Sequence, residues 1–283
     1  MEFTAIYIIL AMFAIYATCG VTLYVMQPRF MYQPTQELIG KPSDLGLRYE
    51  DITFAASDGI ELHGWYVQAA NPQFTVLFCH GNGGNISHCL DDVAAFSRLG
   101  VSCLVFDYRG YGKSQGRPSE QGTYLDVQAA YRWLRTHKRI PAQQIILSGR
   151  SLGGSVAAHL ATREQARALV LEGTFTSYAA MGRKFFPYMP VRRFARFNYS
   201  TVDYLQDVKM PVMIIHSRND ELVPPEFARE LYEAANEPKQ FVEISGGHNN
   251  GFLASGDVYK KAWEDWLNLL TAGPAGSNLQ EAP

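Results

Sequence analysis

Short β-branched runs alternate with amphipathic stretches along most of this chain, and no other feature narrows the possible folds as far. Strand-like runs fall at 60–67, 75–79, 101–106, 145–148, 168–171, 212–216 and 240–244. Helical stretches fall at 86–99, 119–137, 152–162, 225–235 and 258–270. In the second of these, Asp126, Ala129, Ala130, Trp133 and Leu134 recur at i, i+3, i+4, i+7 and i+8, the spacing of one helical face. Strands separated by helices cross over right-handedly, which builds a mainly parallel central sheet flanked by helices. The reactive loops of such a sheet lie at the carboxyl ends of its strands. The chemistry is therefore to be sought in the loop that leaves each strand.

The amino-terminal end departs from this pattern. Residues 3–26 carry no charged side chain, and as a helix they would reach about 36 Å at ~1.5 Å per residue, enough to cross a hydrocarbon core of about 30 Å. A cleaved signal peptide normally has a basic leader, a shorter apolar run and small residues at the cut. Only Met1 and Glu2 precede this run, and Ala17-Thr18-Cys19 is a poor cleavage site. An uncleaved single-pass transmembrane anchor over 3–26 is expected. Arg29, Lys41 and Arg48 follow the span, which by the positive-inside rule places the carboxyl-terminal domain on the cytoplasmic side of the membrane. Residues 27–47, with Pro28, Pro34, Gly40 and Pro42, read as a tether to a folded domain at 48–271. The Gly-, Ala-, Ser- and Pro-rich end at 272–283 reads as a disordered tail.

Charge and cysteine usage remove whole classes of function. Twenty-five Lys and Arg balance 27 Asp and Glu, so the basic excess of a nucleic-acid binder is absent. Four cysteines in 283 residues cannot staple a fold, and none forms a CxxC pair for zinc or redox work. Cys79 and Cys103 lie in apolar strand-like runs and read as buried free thiols.

Three glycine-rich matches around residue 112 fail on context. Gly110-Tyr111-Gly112-Lys113-Ser114 ends like a phosphate-binding loop, but Asp107 stands where the leading glycine is required. A dinucleotide fingerprint fails at Gln115. Gly112-Lys113-Ser114-Gln115-Gly116 fits G-x-S-x-G but is followed by Arg117-Pro118, where no helix begins. The second G-x-S-x-G, Gly149-Arg150-Ser151-Leu152-Gly153, has a strand before it and a helix after it. That setting puts the Ser151 oxygen at the apex of a strained turn, with the helix start aiming amides and its positive dipole end at the reacting centre.

A serine needs a base, and the base an orienting acid. Of His63, His80, His88, His137, His159, His216 and His248, only His248 lies in a loop after the last strand, within Gly246-Gly247-His248-Asn249-Asn250. Asp220 follows the 212–216 strand and is the expected acid, with Glu221 or Glu172 as alternatives. The order Ser151, Asp220, His248 is that of α/β-hydrolases. The loop His80-Gly81-Asn82-Gly83-Gly84-Asn85 follows the 75–79 strand, and the backbone N–H groups of Asn82 and Leu152 are assigned to the oxyanion hole. His80 is expected to shape that loop rather than to touch substrate.

From about residue 51 to 270 the chain resembles the α/β-hydrolase superfamily, and within it the membrane-anchored serine hydrolases that carry an H-G-N-x-G-N oxyanion loop. The resemblance rests on the 80–85 loop, Asp107-Tyr108-Arg109-Gly110-Tyr111-Gly112, the Ser151 motif, Asn219-Asp220 and Gly247-His248. It implies an α/β-hydrolase fold, a Ser–His–Asp triad, no metal and no organic cofactor, with Asp107 to Gly112 bracing the site. The expected activity is hydrolysis of a carboxylic ester or thioester substrate, lipid-derived acyl groups included, by an acyl-enzyme mechanism. A peptidase or amidase of the same fold and a catalytically idle membrane scaffold are the alternatives. By analogy with the family, the insertion at about 173–208 caps the site. It interleaves Arg183, Lys184, Arg192, Arg193 and Arg196 with eight aromatic residues, Phe175 to Tyr199, and carries no acidic residue between Thr174 and Val202. Such a cap either packs onto the core or lies on anionic headgroups and draws acyl chains from the membrane.

Overall fold

The computed structural model describes residues 2–272. The chain opens with helix α1 (Glu2–Met31) and a short strand β1 (Gln33–Pro34), then β2 (Tyr49–Ala55), β3 (Glu61–Val67), β4 (Thr75–Cys79) and β5 (Gly83–Gly84). It continues through α2 (Leu90–Arg98), β6 (Ser102–Phe106), α3 (Glu120–Thr136), β7 (Ile145–Arg150), α4 (Leu152–Ala161) and β8 (Ala168–Glu172). Three cap helices follow, α5 (Tyr178–Phe185), α6 (Val191–Phe194) and α7 (Thr201–Asp207). The chain then forms β9 (Val212–Ser217), α8 (Pro225–Ala234), β10 (Lys239–Ile244), α9 (Gly251–Ala254) and α10 (Gly256–Ala272).

Eight strands form one sheet in the order β10-β9-β8-β7-β4-β6-β3-β2. The pairs from β10 to β6 are parallel, and β3 and β2 extend the sheet antiparallel. The central strands β4, β6, β8 and β9 are buried along their whole length, as a sheet covered on both faces requires. One apolar cluster packs α3, α4, α7 and α8 on one face, with Trp133, Val156, Leu205 and Leu231 among its members. The other packs α2 and α10 on the opposite face around Phe96, Trp263 and Trp266.

The amino-terminal expectation needs two corrections. The segment read as a tether from residue 27 is helical to Met31, because α1 continues through Pro28. Proline removes one helical N–H, but the end of α1 is fixed by tertiary contacts: Met31 and Tyr32 are buried, and Tyr32 Oη lies 2.7 Å from Tyr199 Oη. Nor do the residues after it hang free. Gln33–Pro34 pair with Gly83–Gly84, and the Asn85 side-chain amide donates to Thr35 and Glu37. These prolines mark an ordered strap rather than a linker. At the other end Ala272 closes α10, and the rest of the expected tail lies outside the described residues.

Candidate active site

Ser151 sits between the end of β7 and the first turn of α4 with φ 53 and ψ −119. A non-glycine residue in that region costs about 1–3 kcal/mol and persists only where its surroundings enforce it. The enforcement is visible: Ser151 N–H donates to the Glu172 carbonyl at 2.9 Å, and Gly154 N–H to the Ser151 carbonyl at 3.1 Å. The flanking glycines have steric reasons. A Cβ on Gly149 would stand 2.1 Å from the Gly153 carbonyl oxygen, and one on Gly153 would stand 2.0 Å from that of Cys79.

His248 and Asp220 come together from the loops after β10 and β9. His248 Nδ1 lies 2.7 Å from Asp220 Oδ2, so the carboxylate accepts the Nδ1 proton, and Nε2 has no hydrogen-bond partner among the described residues. Asp220 is held in turn by the amides of Leu222 and Val223, at 2.9 and 2.7 Å from Oδ1. Burial alone would raise its carboxyl; the His248 hydrogen bond and charge, with those amides, outweigh burial and hold it below the usual carboxylate range. Glu221 takes a different task, its Oε2 accepting the His248 backbone N–H at 3.0 Å. Gly173, at φ 52, lies beneath the pair: a Cβ there would be 3.4 Å from His248 Cε1 and 3.6 Å from Asp220 Oδ2. Sequence reasoning did not single out Gly173; its place just past β8 was the available signal. Ser151 Oγ makes no hydrogen bond among the described residues, a common state for a catalytic contact that tightens only around substrate.

The amides of Asn82 and Leu152 have no acceptor among the described residues, and both residues share a cavity wall with Ser151. The loop carrying Asn82 is braced as expected. Its carbonyl accepts from Gln33 N–H at 3.0 Å and from Tyr111 Oη at 2.8 Å. His80 Nδ1 bonds the Gly81 carbonyl at 2.7 Å, and Tyr108 Oη donates to the His80 carbonyl. Ile86 N–H donates to Asp107 Oδ1 at 2.9 Å, and Arg109 pairs with Asp126 and Asp58.

The remaining candidates are occupied elsewhere. Ser114 Oγ accepts from His63 N–H and donates to the Asp107 carbonyl, a buried structural hydroxyl. Glu172, weighed as an alternative acid, accepts from Arg150 Nε at 3.0 Å and from Tyr259 Oη at 3.0 Å. Arg150 also pairs with buried Asp92, whose carboxyl burial pushes up to about 6 despite that cation. This network behind the serine turn was missed from sequence, although an arginine inside an otherwise small-residue motif called for a buried acid. Among the described residues no three His, Cys, Asp or Glu side chains assemble as a metal-binding group.

Above Ser151 opens a cavity of about 830 Å³. The cap supplies part of its wall through Phe175, Tyr178, Met181, Phe186 and Met189. Helix α1 supplies another part of the wall, from Phe13 to Met31.

The sheet order, the strained serine turn and the loop positions of Asp220 and His248 together define an α/β-hydrolase. The family profile described as the alpha/beta hydrolase fold matches residues 75–203, and the chain belongs to this family. It is 35% identical over 281 residues to the alpha/beta hydrolase domain-containing protein WAV2 of Arabidopsis thaliana, covering 89% of this chain and 90% of that one. It is 34% identical over 259 residues to protein bem46 of Schizosaccharomyces pombe, covering 87% of each, and 32% identical over 252 residues to the uncharacterized protein YfhR of Escherichia coli, covering 84% and 86%. Among solved structures it is similar in fold to the Pyrococcus furiosus esterase Pf2001, with a TM-score of 0.71 at 24% identity over 84% of this chain and 97% of that one. The esterase domain of a Rhodothermus marinus protein has a TM-score of 0.59 at 22% identity, covering 78% and 98%.

Proposed function

We propose that the protein is a membrane-anchored serine hydrolase that cleaves carboxylic ester or thioester bonds through an acyl-enzyme. The observation that carries this is the strained Ser151 lining one cavity with Asn82 and Leu152, whose amides lack acceptors among the described residues. His248 Nε2 takes the Ser151 proton as Oγ attacks the acyl carbonyl, and the two amides hold the developing oxyanion. Asp220 fixes the Nδ1 tautomer and stabilises the imidazolium. His248 then protonates the leaving oxygen or sulfur, activates water, and the acid departs. The largely apolar cavity favours an acyl chain over a peptide backbone, which would need paired polar groups. Helix α1, long and apolar enough to span a bilayer, serves as the anchor.

Labelling by a fluorophosphonate probe tests the assignment. Ser151→Ala is expected to abolish labelling and to lower turnover by on the order of 10³ or more. Ser114→Ala is expected to keep labelling while losing some stability. Loss of the probe in the Ser114 variant with retention in the Ser151 variant would reverse the choice of nucleophile.

A further inference from the structure

From the wall that α1 contributes to the cavity, we infer that the substrate is a membrane lipid whose acyl chain enters sideways from the bilayer, between α1 and the cap, to reach Ser151. This rests on the proposed serine hydrolase and on α1 as a span, and goes beyond both by naming the substrate's source and its path.

The argument begins with depth. A helix crosses about 30 Å of hydrocarbon in roughly 20 residues, so a span starting at Phe3 meets the near boundary around residue 22. The cap touches α1 on the hydrocarbon side of that boundary. Tyr16 Oη donates to the Tyr188 carbonyl at 3.1 Å, and a Cβ on Gly20 would lie 3.3 Å from Met189 Cε. Tyr16 sits about 9 Å below the boundary at ~1.5 Å per residue. With α1 spanning, the tip of the cap is therefore immersed. Its composition suits that position: Tyr188 is 91% and Phe194 55% exposed, and Phe185 and Phe186 are exposed beside them. Exposed aromatics of this kind are at home at a membrane interface, and the neighbouring Arg192 and Arg193 have stems long enough to carry their charges to the headgroups.

The immersed arrangement is also fixed. Gln27 closes a two-way clamp, its Nε2 donating to the Phe194 carbonyl and its Oε1 accepting from Arg196 N–H, each at 2.8 Å. Arg196 lies over the Tyr24 ring at 5.3 Å. The cavity follows α1 on both sides of the clamp, from Met31 to Phe13, about 27 Å of helix at ~1.5 Å per residue. The body end of that wall leads to the serine, since Gln33 N–H, two residues past α1, donates to the Asn82 carbonyl and a Cβ on Gly81 would lie 3.8 Å from Ser151 Cβ; the other end is at hydrocarbon depth. A water-soluble ester has no need of a wall that runs to hydrocarbon depth. A lipid acyl chain never has to leave hydrocarbon to follow it.

The test uses the full chain in nanodiscs, with esters of long and short acyl chains and the fluorophosphonate probe. Ala17→Leu and Ala17→Trp narrow the cavity in graded steps from the α1 side, and Ile8→Trp changes the same helix outside the cavity. The ratio of long-chain to short-chain turnover is expected to fall stepwise in the Ala17 pair, at least tenfold for Ala17→Trp, and to stay at the wild-type value in Ile8→Trp. Probe labelling of each variant reports that the site is folded. An unchanged ratio in labelled Ala17→Trp overturns the lateral path and leaves the serine hydrolase standing. Absence of labelling in the wild type overturns the hydrolase itself, and the path with it. Labelling of the wild type with a ratio that is equal in detergent and in nanodiscs also counts against the path, since the bilayer would then contribute nothing.

Discussion

Asp220, Glu221 and Glu172 all lie near the candidate base, and their contacts separate three roles that their spacing in sequence does not. Asp220 accepts the ring proton of His248, Glu221 accepts its backbone N–H, and Glu172 is engaged by Arg150 and Tyr259. Asp220→Asn is expected to lower turnover by on the order of 10³–10⁴, because an amide can donate to Nδ1 and so favours the wrong tautomer. Glu172→Gln is expected to act on stability instead, by up to about 3 kcal/mol, since it takes one of two anions from a buried guanidinium. Turnover and denaturant midpoints measured on both variants separate these outcomes; a stable Glu172→Gln protein without turnover would move the acid to Glu172. The sign of the Asp220 shift adds a second readout. Its folded carboxyl is held below the ordinary 3.8, so its stabilisation is complete above that value and fades as pH falls through the lowered one.

At the scale of elements, α3 and α4 meet where Tyr124 stacks on His159, with ring centroids 3.6 Å apart. Burial, and then the Arg163 charge, push the His159 imidazole down to about 4 from an ordinary 6.5. Between those values the unfolded chain binds a proton that the folded one refuses, so stability falls as pH drops across that window. The urea midpoint in detergent is expected to decline from pH 7 to pH 5 in the wild type and to decline less in His159→Gln. Equal declines would place the acid sensitivity elsewhere. The same elements show what the sequence could disclose. The seven strand-like runs and five helical stretches agree with observed elements to within a residue or two, except that the 86–99 stretch begins as a 3-10 turn before α2. Apart from the half-exposed edge strand β10, they are largely buried strands or helices with an apolar face, which periodicity reports directly. The edge strand β2 went unread because Glu50, Asp51 and Thr53 hide its two inward positions, Ile52 and Phe54. The cap helices α5 to α7 are short and half-exposed, so their residues carry no clear period. The positions of Ser151, Asp220 and His248 were legible because each follows a strand. Gly173, Arg150 and the α1 wall were not, since each acts through a neighbour far away in the chain.

At the scale of the whole molecule, one helix binds three regions that the sequence presents separately. Helix α1 joins the core at Met31 and Tyr32, the cap at Gln27, and the cavity from Phe13 onward. With α1 as the proposed anchor, the direction in which it crosses the bilayer decides which compartment the α/β-hydrolase body faces. Arg29, Lys41 and Arg48, at the body end of the helix, favour the cytoplasmic side. The native thiols leave this question open to a clean measurement. Cys79, Cys89 and Cys103 are buried, and burial raises all three thiols, so they are poor targets for a maleimide. Cys19 lies within the proposed span, where a charged reagent does not reach. Among the described residues Glu264, on the exposed side of α10, makes only a surface pair with Lys260 at 3.6 Å, so Glu264→Cys costs little and supplies one reactive thiol. A membrane-impermeant maleimide is expected to label that variant in inside-out vesicles and to leave it unlabelled in right-side-out ones. The reverse pattern would put the body outside, and the three basic residues would then have been overruled by the translocation of the folded domain as a whole.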